Sequence, residues 1–451
     1  MQVTATVSEG LKREFRVVVP VSDLAARADA RLNDLRGRVQ INGFRPGKVP
    51  TAHLKKLYGR AVLAETIEQV VGEANQKIVE DNGFKLAQQP EVKLPQEEAE
   101  AKAVFEGTAD LDYTVAFEVL PTIQLADFKG IKVERLVAEP TDADIQSMLE
   151  TMAKQNRPFE PKAGGTAAMG DRLTISFVGT INGEKFDGGS AEGIQLELGS
   201  KSFIPGFEDQ LVGVAVGEDR VVRVRFPSNY MSETLAGKEA EFAVSVTAIE
   251  QPGERPIDEE FAKMVGFEDL AKLKAAVADR LKSEYAAASR RRVKRALLDA
   301  LDEKHAFDLP QTLVDQEFDS VWRQITQDME ARGKTFADED TTEEKAREEY
   351  RKIAERRVRL GLVLAEIGEK AQIKVSDDEV TRAVVERARQ FPGQEQQVWD
   401  YYRKTPEALA QLRAPIFEEK VVDYILELAE VTEKKVSKDE LFRDNDAEDE
   451  G

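Results

Sequence analysis

Residues 170–189 read GDRLTISFVGTINGEKFDGG, residues 196–230 read LELGSKSFIPGFEDQLVGVAVGEDRVVRVRFPSNY, and residues 241–246 read EFAVSV. Short apolar-alternating runs here are broken by Asn182-Gly183, Gly188-Gly189, Pro205-Gly206 and Pro227. That punctuation predicts a compact β-rich segment from about residue 170 to 250, with Asn-Gly as its clearest hairpin turn. The segment is rich in phenylalanine. Phe226 alternates with Val222 and Val224 on one strand and reads as core. Phe177, Phe186, Phe207 and Phe242 can be read as the core of a small β domain or as the walls of an aromatic pocket.

Working outward, the preceding residues mix strands and helices. Phe15, Val17 and Val19 alternate up to Pro20, and Tyr113, Val115 and Phe117 alternate up to Pro121, as half-buried strands do. Ser22 is placed to cap a helix running toward Leu35. A second helix is expected from Thr51, with Leu54, Leu57, Tyr58, Ile67, Val70, Val71, Ala74 and Ile78 at helical spacing, stopping at Asn82-Gly83. Thr141 and Asp144 form a capping-box pattern ahead of Ile145, Met148, Leu149 and Met152. The stretch RPFEPKAGG, residues 157–165, reads as a linker. After Pro252 the periodicity becomes helical, with helices expected through 270–281, after Pro310, over 342–370 and 377–391, and between 398 and 431. The terminal DNDAEDEG carries five acids and no base, the composition of a disordered solvating tail.

Composition narrows the function. A chain of 451 residues exceeds one ordinary core, so two to four domains are expected. There is no cysteine, which removes thiol catalysis, disulfides and thiolate metal sites. His53 and His305 are far apart, so neither a metal nor a cofactor is expected. No apolar run reaches the roughly 18 residues of a membrane span. The opening MQVTATVSEGLKREF lacks an export signal, which points to the cytoplasm. A net charge of −21 argues against wholesale nucleic-acid binding. Residues 31–60, however, hold eight bases against one acid, a basic island of the kind that meets a polyanion such as structured RNA. The bases bracket Gly43-Phe44-Arg45-Pro46-Gly47-Lys48-Val49-Pro50, where two glycines and two prolines force a tight loop. A loop tip presenting Phe with Arg and Lys suits docking, although a turn with Phe44 tucked into its own core fits the same residues.

Two resemblances decide between these readings. The order Phe-x-Gly (177–179), Phe-Asp (186–187), Leu-Gly (198–199) and Ile-Pro-Gly-Phe-Glu (204–208) is similar to the FKBP-type prolyl isomerases. That likeness implies a site made by Phe177, Phe186, Asp187, Ile204, Phe207 and Phe242, with Phe203 and Ile204 at the rim and Phe207 at the floor. It further implies that the Ile204 N–H holds a substrate carbonyl. Rotation of an X-Pro bond needs no acid, base or nucleophile; the obstacle is amide resonance, a barrier of about 20 kcal/mol. Ile194 stands where the pattern often has an aromatic, and the loop near Tyr230 departs from it. Both argue against tight macrolide binding and leave weak isomerase activity in place.

The Gly43–Pro50 octapeptide resembles the ribosome-binding signature of the bacterial trigger factor family, with Pro46 a departure expected to stiffen the loop. The order of segments along the whole chain resembles that family too. The likeness implies that Phe44, Arg45 and Lys48 grip an exit-tunnel protein and neighbouring rRNA. It implies nascent and unfolded polypeptides as clients and no membrane, and it leaves a homodimer off the ribosome open. The fold expected is α+β multidomain: an α+β ribosome-binding domain (1–118), a joining segment (119–164), an FKBP-like antiparallel β-sheet with helix (165–250), an elongated all-α body (251–440) and an acidic tail (441–451). Trp322, Met329, Phe391, Trp399 and Tyr402 are client-contact candidates, though each residue type is more often core. A plain isomerase leaves the basic loop unexplained. An envelope chaperone conflicts with the missing export signal, and an RNA-binding protein leaves the isomerase segment without a role.

Overall fold

The computed structural model describes residues 1–39, 44, 49–94, 98–227, 230, 232, 234–339 and 341–443. In chain order the elements are β1 (Gln2–Glu9), β2 (Lys12–Val19), α1 (Val21–Arg38), α2 (Thr51–Asn82), β3 (Glu91–Lys93), α3 (Glu98–Phe105), β4 (Leu111–Glu118), β5 (Lys132–Val137) and α4 (Asp142–Gln155). The isomerase-like segment supplies β6 (Phe159–Pro161), β7 (Arg172–Ile181), β8 (Glu184–Glu197), β9 (Asp219–Arg225) and β10 (Glu239–Pro252). Then follow α5 (Glu259–Met264), α6 (Leu270–Lys304), α7 (Gln311–Arg332), α8 (Glu343–Lys370), α9 (Asp377–Arg389), α10 (Glu395–Lys404), α11 (Pro406–Leu428), β11 (Glu430–Lys435) and α12 (Lys438–Phe442). The chain divides into two units, residues 1–131, 297–324 and 343–430, and residues 132–296, 325–342 and 431–451.

In the first unit an antiparallel sheet of order β1-β2-β4-β3 turns one face to α2. Phe15, Val17 and Val19 of β2 and Leu111, Tyr113, Val115 and Phe117 of β4 are buried against Ile67, Val70, Ala74 and Ile78 of α2. Alternation on the strands and 3.6-residue spacing on the helix thus meet in one core. Gly83, in the left-handed region at φ +64, ends α2 where expected. Leu57 and Tyr58 were expected on the buried face and are exposed; Leu54 is buried as expected, and Val62 and Thr66 join the buried face. The expected Ser22 cap is also corrected. The helix starts two residues earlier, after Pro20, and the Val21 N–H donates to Asp110 at 2.7 Å. The cap therefore comes from a residue far along the chain.

The helices of this unit are fastened by polar contacts to the sheet and to each other. Buried Glu118 accepts hydrogen bonds from the Thr312 N–H at 2.9 Å and the Thr312 hydroxyl at 2.7 Å, placing a carboxylate at the start of α7. His305 is buried with both ring nitrogens engaged: Nε2 accepts from the Ala126 N–H at 3.1 Å and Nδ1 donates to the Leu301 carbonyl at 2.7 Å. Ion pairs Arg351–Asp315, Arg357–Glu317 and Arg359–Asp302 run along α8. Gly368 lets α11 approach closely, since a Cβ there would overlap the Phe417 ring.

The second unit holds the five-stranded antiparallel sheet, order β6-β10-β7-β8 with β9 also on β10. Its β7–β8 turn is Asn182-Gly183, both at positive φ, as a two-residue hairpin requires. Part of the expected linker is strand: Phe159–Pro161 pairs with residues 250–252 of β10. The helical piece over this sheet is short, the 3-10 turn Asp209–Leu211. Around the other core of the unit, α4, α5, α6 and α12 bury Leu149, Phe261, Leu273, Tyr285 and Leu441. The Thr141–Asp144 capping box forms as expected. The C-terminal region is helical except for β11, which pairs with β5. Of the expected tail, Leu441 and Phe442 pack into the helical core, and residues 444–451 lie outside the described residues.

Candidate functional site

The sheet of the second unit carries an aromatic cluster on its inner face. Phe177 comes from β7, Phe186 from β8 and Phe242 from β10, while Phe203 and Phe207 come from the connection before β9. Phe207 and Phe242 are buried, and Phe177, Phe186, Phe203 and Ile204 are partly buried against them. Phe207 lies at the centre of the cluster: its ring is 4.9 Å from Phe203 (stacked), 5.4 Å from Phe242 and 6.1 Å from Phe177, the latter two edge to face. Phe177 also meets Phe203 and Phe242 edge to face at 5.8 Å. Such edge-to-face pairs add about 0.5–1.5 kcal/mol each beyond burial, so the cluster holds its own geometry. Phe226 is buried in the same core and touches Phe186 and Tyr230, in line with its reading as core.

Two glycines let the rings lie on the sheet. A Cβ on Gly179 would sit 2.6 Å from Phe242 Cε1, and one on Gly189 would sit 2.8 Å from Phe186. The Phe-x-Gly and Phe-Asp-Gly-Gly patterns are therefore ring-over-backbone contacts, which no larger residue admits. Asp187 lies beside this cluster in sequence and is exposed. Ile194, opposite Ile175 across the β7–β8 pair, is 37% exposed.

One residue to which the sequence assigns no role gathers the turn before Ile204. Buried Glu208 accepts hydrogen bonds from the N–H groups of Gly199 (2.8 Å), Lys201 (3.1 Å), Ser202 (2.9 Å) and Phe203 (3.3 Å) and from the Ser200 hydroxyl (3.2 Å). Burial pushes this carboxyl up, but the N–H groups of Lys201, Gly199 and Phe203 and the Ser200 hydroxyl outweigh it and hold it below the usual carboxylate range. Four of the five donors named are backbone amides, which have no signature in sequence.

In the first unit, the basic island is partly neutralised. Arg31 pairs with Glu65 at 2.8 Å and Lys55 with Asp29 at 3.5 Å. Phe44 is exposed, with its ring 5.3 Å from that of His53. Arg45 and Lys48 lie outside the described residues. Among the client-contact candidates, Phe391 and Trp399 are exposed, whereas Trp322 is partly covered by Phe318 and by Arg347, 4.3 Å above its ring.

Comparison with known proteins bears on both sites. Family models for bacterial trigger factor protein match residues 1–152 and, for its C-terminus, 269–427. A model for FKBP-type peptidyl-prolyl cis-trans isomerase matches residues 164–247. Trigger factors of Bradyrhizobium sp. (strain ORS 278) and Azorhizobium caulinodans are each 60% identical over 99% of both chains. The chain belongs to the trigger factor family. A solved structure concerned with promiscuous substrate recognition in folding and assembly by the trigger factor chaperone is similar in fold at a TM-score of 0.52. It is 20% identical, over 95% of this chain and 99% of that one. As a family member the protein is a ribosome-associated chaperone that binds nascent polypeptides and carries an FKBP-type peptidyl-prolyl isomerase domain. No described helix is long and apolar enough to cross a membrane.

Proposed function

We propose that the phenylalanine cluster of the second unit is the isomerase active site and that the Gly43–Pro50 loop is the ribosome anchor. The observation that carries the first assignment is the convergence of Phe177, Phe203 and Phe242 on the Phe207 ring, with Phe186 against Phe242. A planar amide is charge-separated through resonance, and a twisted one is less polar. A dry aromatic pocket therefore disfavours the ground state relative to the transition state and lowers the rotation barrier. Phe177, Phe186, Phe207 and Phe242 enclose the prolyl ring, and the Ile204 N–H binds a carbonyl of the peptide. Asp187 supplies a polar group facing the amide rather than a proton carrier.

In the same reading Phe44, Arg45 and Lys48 dock on an exit-tunnel protein and neighbouring rRNA, in the cytoplasm. The exposed Phe44 ring supports this, because it leaves apolar area available to a partner. Residues 1–118 dock, 165–250 isomerise and 251–440 hold the client, with 119–164 joining them. A homodimer off the ribosome stays open in this reading, and light scattering decides it. The test of the anchor is co-sedimentation with purified bacterial ribosomes, comparing the native chain with F44A/R45A/K48A. Salt-sensitive binding by the native chain, lost in the triple variant, is expected. Equal sedimentation of both, or of neither, overturns the anchor assignment.

A further inference from the structure

The connection from Gly199 to Ile204 is unusual in how its donors are used. The N–H groups of residues 199, 201, 202 and 203 go to the Glu208 carboxylate, and the Ser200 N–H goes to the Glu197 carbonyl at 3.2 Å. The next N–H, that of Ile204, has no partner among the described residues. The Ile204 carbonyl is held by the Phe207 N–H at 3.0 Å, so the turn is pinned on both sides of that free donor. Lys201 takes φ +56, a conformation that costs a non-glycine residue about 1 kcal/mol or more and persists only where the surroundings impose it. The imposing group is the carboxylate, which draws in the flanking amides with charge-assisted hydrogen bonds. Its own chain position, immediately after the floor residue Phe207, couples rim to floor.

From this arrangement we propose that Glu208 is a positioning residue of the isomerase, gathering the Gly199–Phe203 amides so that, of the N–H groups from Gly199 to Ile204, that of Ile204 stays free among the described residues for a carbonyl of the bound proline peptide. The proposal rests on the reading of the pocket as the isomerase site. Glu208 touches no substrate atom in this scheme. It sets the place of a donor that holds the peptide in ground state and transition state alike, so its loss weakens binding more than turnover.

The test is steady-state isomerisation of a chromogenic proline tetrapeptide by the full chain, with kcat and KM resolved separately. Glu208→Gln keeps volume but faces four N–H donors with an amide that can accept through one atom only. A single neutral hydrogen bond is worth about 0.5–1.5 kcal/mol, so KM should rise up to about tenfold while kcat stays within about twofold. Phe177→Ala, which opens the pocket wall, runs in parallel. Native KM in Glu208→Gln with activity lost in Phe177→Ala overturns the positioning role and leaves the pocket intact. Native activity in Phe177→Ala overturns the pocket reading itself. A fall in kcat at unchanged KM in Glu208→Gln marks general disruption and also overturns the proposal. If circular dichroism shows Glu208→Gln unfolded, Ser200→Ala carries the same test. It removes one donor and leaves the carboxylate in place, and a KM increase of about threefold is expected; an unchanged KM overturns the proposal.

Discussion

Gly179→Ala should damage both the stability and the activity of the isomerase segment, for a reason that can be sized from the contacts. Gly179 lies opposite Phe242 in the β7–β10 register. An added Cβ would fall 2.6 Å from Phe242 Cε1, 2.9 Å from Cδ1 and 2.9 Å from the Gly189 carbonyl oxygen. Carbon atoms settle at about 3.5–4.0 Å, so the ring must retreat by about 1 Å. It has nowhere free to go, with Phe207, Phe177 and Phe186 centred 5.4, 5.8 and 6.1 Å away. The Gly189 oxygen is backbone and cannot rotate aside. Overpacking of this kind costs about 1–3 kcal/mol, and replacing glycine within a strand returns about 0.5–1 kcal/mol of chain entropy. A net loss of about 1–2 kcal/mol is expected. A misplacement of about 1 Å at the reacting group can cost up to about 100-fold, so kcat/KM should drop at least about tenfold. Stability is best read by hydrogen exchange over residues 172–197 in urea, because both tryptophans, Trp322 and Trp399, lie outside the segment. Gly183→Ala is the control: φ there is +86 with nothing within 4 Å, so it strains the hairpin by about 1 kcal/mol without touching a ring. Native stability and kcat/KM in Gly179→Ala would refute the ring-contact argument. So would an equal loss of activity in Gly183→Ala, since hairpin strain would then suffice.

Glu118→Gln should cost about 1.5–3 kcal/mol, because a buried carboxylate receiving the Thr312 N–H and hydroxyl at the start of α7 becomes a neutral amide. Urea unfolding with hydrogen exchange at residues 311–318 measures it, and unchanged protection would show that the charge at the helix start contributes nothing. Glu379 is held at about 2 by its hydrogen bond to Lys420 first, then by the Ser376 N–H and hydroxyl, against an ordinary value of 4.5. A depressed carboxyl stabilises fully above its unfolded value and ceases to do so as pH falls toward the folded one. Protection of α9 should accordingly decline between about pH 4.5 and 2, and the decline should flatten in Glu379→Gln; identical profiles for the two chains would remove Glu379 from the account.

Where a signal is local, the sequence predicts the structure closely. Asn182-Gly183 closes the β7–β8 hairpin, Thr141 and Asp144 make a reciprocal cap, and Gly83 stops α2. Each is settled by a few adjacent residues. Where the partner is distant, prediction fails in a consistent way. Val21 is capped by Asp110, residues 159–161 become strand because β10 offers them an edge, and β11 exists because β5 is beside it. Leu57 and Tyr58 obey helical spacing yet stay exposed. Periodicity states which residues share a face but not how far a neighbouring element covers it.

The proposed active site is the harder case, for a chemical reason. A hydrolase announces itself through titratable groups that a core would reject. A prolyl isomerase needs only a dry wall and one well-placed donor, so its site is built from the same phenylalanines that would fill any β core. Spacing alone therefore left Phe177, Phe186, Phe207 and Phe242 undecided between core and pocket, while the ordered motif favoured the pocket. The structure adds what neither could supply: a buried carboxylate, Glu208, saturated by amides on the rim. Burying that charge is costly unless it is hydrogen-bonded, and here four backbone N–H groups do so, while that of Ile204 has no partner among the described residues. The acid is thus absent from the chemistry and present in the geometry. In a reaction limited by bond rotation rather than proton transfer, that is where an ionised side chain has work to do.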